Sequence, residues 1–378
     1  MASSTSLPPT MKAAVKELGR PGLEIKTVPT PEVLPGTVIC KILANYIGKA
    51  ALGRFRAGDG PVLLTHPSPM VPGGYTIGRV AATSPDTTKL QVGQLVLLEP
   101  FIRGRDDSDV QILWGAFEGP SPASKKLAAD VWRNGTMADY ARAPLENTWA
   151  LDEARLCGSP ADGGLGYAIP ELVALPIFTV PFGGLRSVDL KAGETVVVSP
   201  ATGHFSLAAV AIATAMGARV VAVSRNADGL KRLQEMFPLV VPTGDVAQDT
   251  GAIIAAAGGY VDVFAEISPP AAVGSTHIES CMSAVRQYGR ICLMGGRMDP
   301  KVPISMLELV FKNITIRGSY MYEREHVKGL IKLAESGALK LGKAAGMPVL
   351  GEFPLENFEA GLDMVEKHSA LDGFVAIV

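Results

Sequence analysis

From Glu194 onward the chain keeps returning to one pattern, a short apolar run rich in Val and Ile followed by a helical stretch. The runs fall at Thr195–Ser199, Arg219–Val223, Leu239–Val241, Val261–Ile267, Arg290–Met294 and Thr315–Gly318. Helical segments near Phe205–Met216, Asp228–Phe237, Thr250–Ala257 and His277–Gln287 separate the first five. A strand that leaves through a helix and returns parallel to itself is covered on both faces, so its apolar run is continuous rather than alternating. The pattern predicts an α/β domain, a doubly wound parallel six-stranded sheet over residues 186–322.

Ahead of it the texture is different. Lys12–Val15, Thr37–Leu43, Gly78–Thr83 and Gln94–Leu98 read as short strands between Pro/Gly segments. After Tyr322 a helix at His326–Ser336 and a helix–strand unit, Leu355–His368 then Gly373–Val378, break the repeat and are expected to rejoin the first domain. The expected layout is a mobile Ser/Thr/Pro-rich tail at 1–10, a β-rich domain of 11–185 with 323–378, and the sheet domain of 186–322. At 378 residues the chain has the length for two domains, and its 41 Gly and 28 Pro suit sheets and turns. Phe101–Arg133 reads as a long excursion, partly helical at Ser124–Val131, in which Trp114, Phe117 and Trp132 either wall an apolar pocket or pack the loop onto its own domain.

Charge excludes one class of partner. The formal net charge of −2, without a basic stripe, leaves nucleic acid no electrostatic footprint. The longest apolar stretches, Leu172–Leu185 and Leu207–Ala218, fall short of the roughly 20 residues of a membrane span; the first is interrupted by Pro176 and Pro181. Cys40, Cys157, Cys281 and Cys292 form no C-x-x-C pair, and Met1–Thr10 lacks the look of a signal peptide. The expectation is a cytoplasmic protein with reduced thiols, acting on a small molecule.

The strand Thr195–Ser199 runs into Pro200-Ala201-Thr202-Gly203-His204-Phe205-Ser206 and then a helix. Backbone N–H groups and the positive helix end at such a turn attract a pyrophosphate. Of a Gly-x-Gly-x-x-Gly pattern only Gly203 is present, with small Ala201 and Ser206 at the outer positions, so Ala201 through Phe205 are the candidate phosphate residues. A dinucleotide fold reads its adenosine ribose at the end of the second strand, where a carboxylate marks NAD. Ser224-Arg225-Asn226 stands there instead, 21 residues past Gly203. Arg225 is suited to a bidentate pair with a 2′-phosphate and Ser224 to a further hydrogen bond, which predicts NADP(H).

With these segments in order, the chain resembles the medium-chain dehydrogenase/reductase superfamily from Met11 to Val378. The resemblance rests on Lys41-Ile42-Leu43-Ala44-Asn45, Pro72-Gly73-Gly74-Tyr75-Thr76-Ile77-Gly78-Arg79-Val80, Val92–Val96, Gly135–Tyr140, Pro176–Thr179 and Tyr288–Gly296. It implies a Rossmann domain beside a GroES-like catalytic domain, and hydride transfer with a nicotinamide cofactor. It also implies that Asn45, Thr179, Ser268, Met294, Gly295, Gly296 and Ser319 border the nicotinamide. A homodimer is implied through edge-to-edge pairing of Thr315–Gly318. Zinc-dependent members place a Cys where Gly48 falls and a His-Glu pair where Gly74 and Tyr75 fall; the four-cysteine lobe is replaced by the 101–133 excursion. The chain therefore resembles a zinc-independent branch, with no metal expected.

Such a branch needs a hydrogen-bond donor to polarise the electrophile. Tyr46, Tyr75 and Lys49 are the candidate catalytic residues; His66 and His204 are weaker ones, for substrate and pyrophosphate respectively. Two function classes stay open. One is NADPH-dependent reduction of a carbonyl or activated alkene of a small organic substrate, or the reverse oxidation. The other is a non-redox lyase, cyclase or binding protein that retains NADP(H).

Overall fold

A computed structural model describes residues 7–378 except 18, 57–64, 232, 235, 297–300 and 302–303. The chain forms two compact units, Met1–Pro176 with Leu341–Val378, and Ile177–Lys340.

The second unit is built on six parallel strands in the spatial order Leu239–Val240, Arg219–Val223, Thr195–Ser199, Val261–Glu266, Val285–Leu293 and Thr315–Gly318. In sequence terms that order is 3-2-1-4-5-6, the doubly wound Rossmann arrangement. Burial follows position in the sheet. Every residue of Thr195–Ser199 and Val261–Glu266 at the centre is buried, whereas Thr315–Gly318 at the edge is largely exposed. Val197, Val221, Phe264, Ile278, Cys281 and Ile291 belong to one apolar core.

Some boundaries move. The expected helix His277–Gln287 ends at Ala284, and the next strand begins at once as Val285–Leu293. Its register against Val261–Glu266 slips between Val261 and Val263, and Tyr288 takes a positive φ of 57° there. The bulge absorbs the residues that a helical reading had claimed. The helix Val246–Ala257 starts four residues early because Asp245 caps it, its side chain accepting from Gln248 N; Gly258 in the left-handed region closes it. The segment expected as Asp228–Phe237 is helical over Ala227–Lys231. A further helix, Met306–Lys312, was not expected. The helix Leu175–Ser187 runs on through Pro181. His326–Ser336, expected in the first domain, corresponds to the helix Arg324–Glu335 inside the second unit, with the His326 ring edge-on to Phe182 at 6.4 Å.

The first unit carries a seven-stranded sheet in the order Val349–Phe353, Phe374–Ile377, Thr37–Ile47, Thr76–Thr83, Leu95–Leu98 and Thr148–Ala150, with Tyr140–Pro144 also paired to Thr37–Ile47. Only the first pair is parallel. This is the expected β-rich GroES-like architecture. Thr10 already belongs to a hairpin, Thr10–Val15 with Glu24–Pro29, so the expected tail at 1–10 does not extend to Thr10; residues 1–6 lie outside the described set. The 101–133 excursion folds as a hairpin, Phe101–Arg103 with Gln111–Leu113, then a helix Pro122–Lys126 capped by Ser121 and a wider turn at Leu127–Val131. Trp114 is fully buried, lies edge-on to Trp132 at 6.4 Å, and joins Val38, Val80, Leu98 and Ile112 in the core. Of the two roles open to these tryptophans, they pack their loop onto its own unit.

Candidate functional site

Parallel strands put all their carboxyl ends on one edge, and the second unit gathers most of its candidate residues there. Gly203 caps the helix His204–Ala215 without a side-chain bond, leaving the first N–H groups of the helix turned to the edge. A Cβ at Gly203 would meet nothing nearer than Ser206 Oγ at 3.5 Å, so the turn has open space where a phosphate would approach. Ala201 is buried, its N–H donating to Val223 O at 2.9 Å. Thr202 Oγ1 lies 2.8 Å from Ser224 Oγ, which ties the phosphate turn to the end of the second strand. Asn226 N donates to Ser224 Oγ at 3.3 Å. Arg225 is exposed and makes no ion pair with any described residue. His204 is buried at the first helical position, and Phe205 follows it.

The other half of the edge is held by backbone bonds. Met294 N donates to Glu266 O, Gly296 N to Ser268 O, and Ser319 N to Leu293 O, each at 2.9 Å. Ser268, the Met294–Gly296 turn and Ser319 therefore stand on three neighbouring strand ends. Thr179 is fully buried in the helix Leu175–Ser187 of the same unit. In that helix Gly184 leaves room for Met294, whose side chain occupies the place a Cβ would take. Two residues at this end were missed. Glu266 is buried, and its Oε1 and Oε2 accept from Ser268 N at 2.8 Å and Gly295 N at 2.9 Å. His277, also buried, has Nε2 2.8 Å from Ser268 Oγ and Nδ1 2.7 Å from Ser275 Oγ. A carboxylate directly after the apolar Val263-Phe264-Ala265 was the available signal; His277 gave none.

In the first unit the candidates separate. Lys49 donates from Nζ to Glu366 O at 2.9 Å, fastening two helices, so a role as proton donor finds no support in its placement. Asn45, expected beside the cofactor, is buried and accepts at Oδ1 from Thr76 Oγ1 and Thr136 Oγ1, both at 2.6 Å, while Nδ2 donates to Thr136 O at 3.1 Å. Its amide is committed to holding the strand ends around Thr76 and Thr136 together. The two hydroxyls are themselves 2.6 Å apart but share only two protons, both needed by Asn45, and Thr136 O fixes which way the amide faces. Tyr46 and Tyr75 are brought together, rings edge-on at 6.4 Å, with Phe374 against Tyr46 at 5.3 Å. Burial, helped by Tyr75, pushes the Tyr46 phenol well above its ordinary 10.0. A phenol so shifted donates a hydrogen bond more readily than it gives up a proton. His66 places Nδ1 2.8 Å from Pro67 O.

The donor set fits a dinucleotide and does not fit zinc at the positions used by zinc-dependent relatives. Gly48 serves as the backbone cap of the helix Lys49–Phe55. Gly74 has φ +115°, and a Cβ there would stand 2.6 Å from Trp114 O and 2.8 Å from Pro100 Cβ. Neither supplies a ligand atom, and the second has no space for one. Among the described residues no three His, Cys, Asp or Glu side chains gather as a metal group would.

Comparison with known proteins agrees with this architecture. Residues 35–153 match the alcohol dehydrogenase GroES-like domain and residues 206–336 the zinc-binding dehydrogenase domain. The chain is 28% identical to an L-threonine 3-dehydrogenase of Ruegeria pomeroyi over 372 residues, covering 97% of this chain and 99% of the relative. It is 28% identical to an alcohol dehydrogenase of Rhizobium meliloti, covering 87% and 89%. Among solved structures, a putative alcohol dehydrogenase from Sinorhizobium meliloti superposes with a TM-score of 0.74 at 22% identity, covering 99% of this chain and 98% of that one. A cobalt- and zinc-bound alcohol dehydrogenase from Pyrobaculum aerophilum gives 0.69 at 18%, covering 98% and 99%. The sheet order, the phosphate turn and the two matched domains together make the chain a member of the medium-chain dehydrogenase/reductase superfamily, an oxidoreductase of small organic substrates.

Proposed function

We propose that the protein is an NADPH-dependent oxidoreductase that works without zinc, moving hydride between the cofactor and a carbonyl or activated alkene of a small organic substrate. The observation that carries the cofactor choice is the end of the second strand. Ser224 is fixed there by Thr202, Arg225 is exposed and makes no ion pair with a described residue, and Ser224-Arg225-Asn226 contains no carboxylate to receive a ribose 2′-hydroxyl. A free guanidinium beside a fixed hydroxyl suits a 2′-phosphate. When bound, the nicotinamide supplies or takes the hydride. Thr202 and Gly203 would receive the pyrophosphate, Ser224 and Arg225 the adenosine end, and Ser268, Met294–Gly296 and Ser319 the nicotinamide end. Tyr46 and Tyr75 are the donors assigned to polarise the substrate oxygen. The relatives' names, L-threonine 3-dehydrogenase and alcohol dehydrogenase, favour an alcohol–carbonyl pair over an alkene.

The zinc assignment rests on Gly48 and Gly74 at the ligand positions. Four free thiols, three of them buried, suit the cytoplasmic location that belongs to the same proposal. A homodimer does too. Beside the exposed edge strand Thr315–Gly318, the helix Met306–Lys312 buries no residue and leaves Met306 and Phe311 each 70% exposed. An unpaired strand edge next to bare apolar side chains is covered by a second copy pairing across a two-fold axis.

The test is a set of dissociation constants for NADPH and NADH with wild type and Arg225→Ala. Loss of a charge-assisted contact costs about 1.5–3 kcal/mol, so NADPH should weaken roughly 10- to 150-fold while NADH changes little. Equal affinities in the wild type overturn the cofactor assignment. Stoichiometric zinc retained through dialysis overturns the metal assignment.

A further inference from the structure

We infer that the buried Glu266 carboxylate is the counter-charge for the oxidised, cationic nicotinamide, so that the site favours the state in which hydride has left the cofactor. This rests on the nicotinamide cofactor proposed above, and adds an electrostatic role for a residue to which the proposed mechanism gives no part.

Glu266 is the last residue of a central strand whose six residues are all buried. Each of its two carboxylate oxygens accepts one backbone N–H, from Ser268 and from Gly295, and among the described residues no lysine, arginine or histidine pairs with it. A group that only accepts, at both oxygens, has the hydrogen-bonding pattern of an ionised carboxylate. Gly295 is matched to it, since a Cβ there would press on both Glu266 oxygens and on Ser268 N. The carboxylate thus lies directly behind the two turns, at Ser268 and at Met294–Gly296, assigned to the nicotinamide end. Burying an anion without a cation is unfavourable even when its oxygens are hydrogen-bonded. The cation that the reaction itself brings to these turns is the ring that has given up hydride. Reduction of a carbonyl removes two electrons and one hydrogen nucleus from a neutral ring and leaves it positively charged. A fixed anion behind that ring lowers the energy of the charged product without having to reorganise.

A purely structural Glu266 would hold the turns for both redox forms alike. Dissociation constants for NADP+ and NADPH, by calorimetry on the full chain, separate the two roles. Glu266→Gln keeps the shape and removes the charge; Glu266→Asp keeps the charge and disturbs the hydrogen bonds. Glu266→Gln should weaken NADP+ at least tenfold more than NADPH, equivalent to raising the midpoint potential of the bound couple by about 30 mV per tenfold. Glu266→Asp should weaken both and leave their ratio within about threefold. Equal weakening of both forms by Glu266→Gln overturns the inference, as does a ratio shifted as far by Asp as by Gln. If Glu266→Gln does not fold, Glu266→Ala takes its place as the charge-removing variant: NADP+ weakened at least tenfold more than NADPH supports the counter-charge, and equal weakening of both forms overturns it. Should the wild type bind neither form, the cofactor reading itself fails and takes this one with it.

Discussion

Replacing Gly74 by alanine tests whether the position that holds a metal ligand in zinc-dependent relatives has become structurally closed in this chain. The residue has φ +115°, and an added Cβ would stand 2.6 Å from Trp114 O and 2.8 Å from Pro100 Cβ. Neither neighbour is the loose end of a flexible side chain. Gly74 N also donates to Thr136 Oγ1 at 2.8 Å, within the Asn45–Thr76–Thr136 cluster. Backbone strain of about 1–3 kcal/mol, overpacking of about 1–3 kcal/mol and a weakened hydrogen bond of about 0.5–1.5 kcal/mol centre on about 4–5 kcal/mol. All three tryptophans, Trp114, Trp132 and Trp149, lie in the first unit, so tryptophan fluorescence during urea unfolding follows that unit alone. With a slope of about 3 kcal/mol/M, the midpoint should fall by roughly 1.5 M. Gly53→Ala is the internal control. Gly53 lies in the helix Lys49–Phe55 with nothing within 4 Å of an added Cβ, and the substitution should stabilise by about 0.5–1 kcal/mol. A Gly74→Ala midpoint within about 0.2 M of wild type would refute the claim that the site is closed, and with it the steric half of the case against zinc.

Three further outcomes are expected. Arg79 donates to both Glu153 oxygens, at 2.7 and 2.8 Å, and lowers the Glu153 pKa below its ordinary 4.5. That contribution is therefore complete above pH 4.5 and is lost as pH falls through the lowered value; Glu153→Gln should cost up to about 1 kcal/mol near neutrality, since both groups are partly exposed, and the difference should close in acid. Burial pushes the Cys40 thiol up to about 12 and Cys292 to about 11, and raises Cys281 as well, whereas Cys157 is half-buried; a disulfide reagent at pH 8 should count one thiol in the native protein and four in denaturant. Sedimentation equilibrium should give twice the 39.6 kDa chain mass, with Phe311→Glu shifting it toward the single chain; a wild-type mass of 39.6 kDa at all concentrations would show that the edge strand works unpaired.

The sheet domain was legible because its central strands are buried on both faces, and Val196-Val197-Val198 or Val263-Phe264-Ala265 advertise that in the residues themselves. Where the chain left the pattern, local chemistry had overridden it. Tyr288 at positive φ and the register slip beside it convert the end of an expected helix into strand, and nothing in Val285-Arg286-Gln287-Tyr288 announces a bulge. The cofactor edge was readable as a set of strand ends, so Thr202, Ser224, Ser268 and Met294–Gly296 fall on one side of one sheet. Asn45 and Lys49 show the limit of that reading. Both stand at plausible positions, but their polar atoms find partners at Thr136 and Glu366, 91 and 317 residues away, and such pairings exist only once the tertiary fold does. Glu266 is the reverse case, a carboxylate at the end of a buried strand whose meaning depends on two backbone N–H groups that no side-chain pattern encodes.

The place of Phe374–Ile377 in the first sheet also bears on biosynthesis. This strand lies between Val349–Phe353 and Thr37–Ile47, pairing Val375 with Ile47 and Ile377 with Asn45. The whole of Ile177–Lys340 separates those partners along the chain. On the ribosome, the second unit can be completed from one uninterrupted stretch as soon as it emerges. The first must wait, with residues 45–47 at the end of Thr37–Ile47 lacking a neighbour on one side, until residues 374–377 have been made; residues 37–41 on that side are paired by Tyr140–Pro144. Closing a loop of more than 300 residues costs little more entropy than closing a shorter one, because the cost grows only with the logarithm of length. The burden is one of time: a short strand edge stays open for the interval in which the second unit is synthesised, and chaperone demand should concentrate there rather than on the parallel sheet.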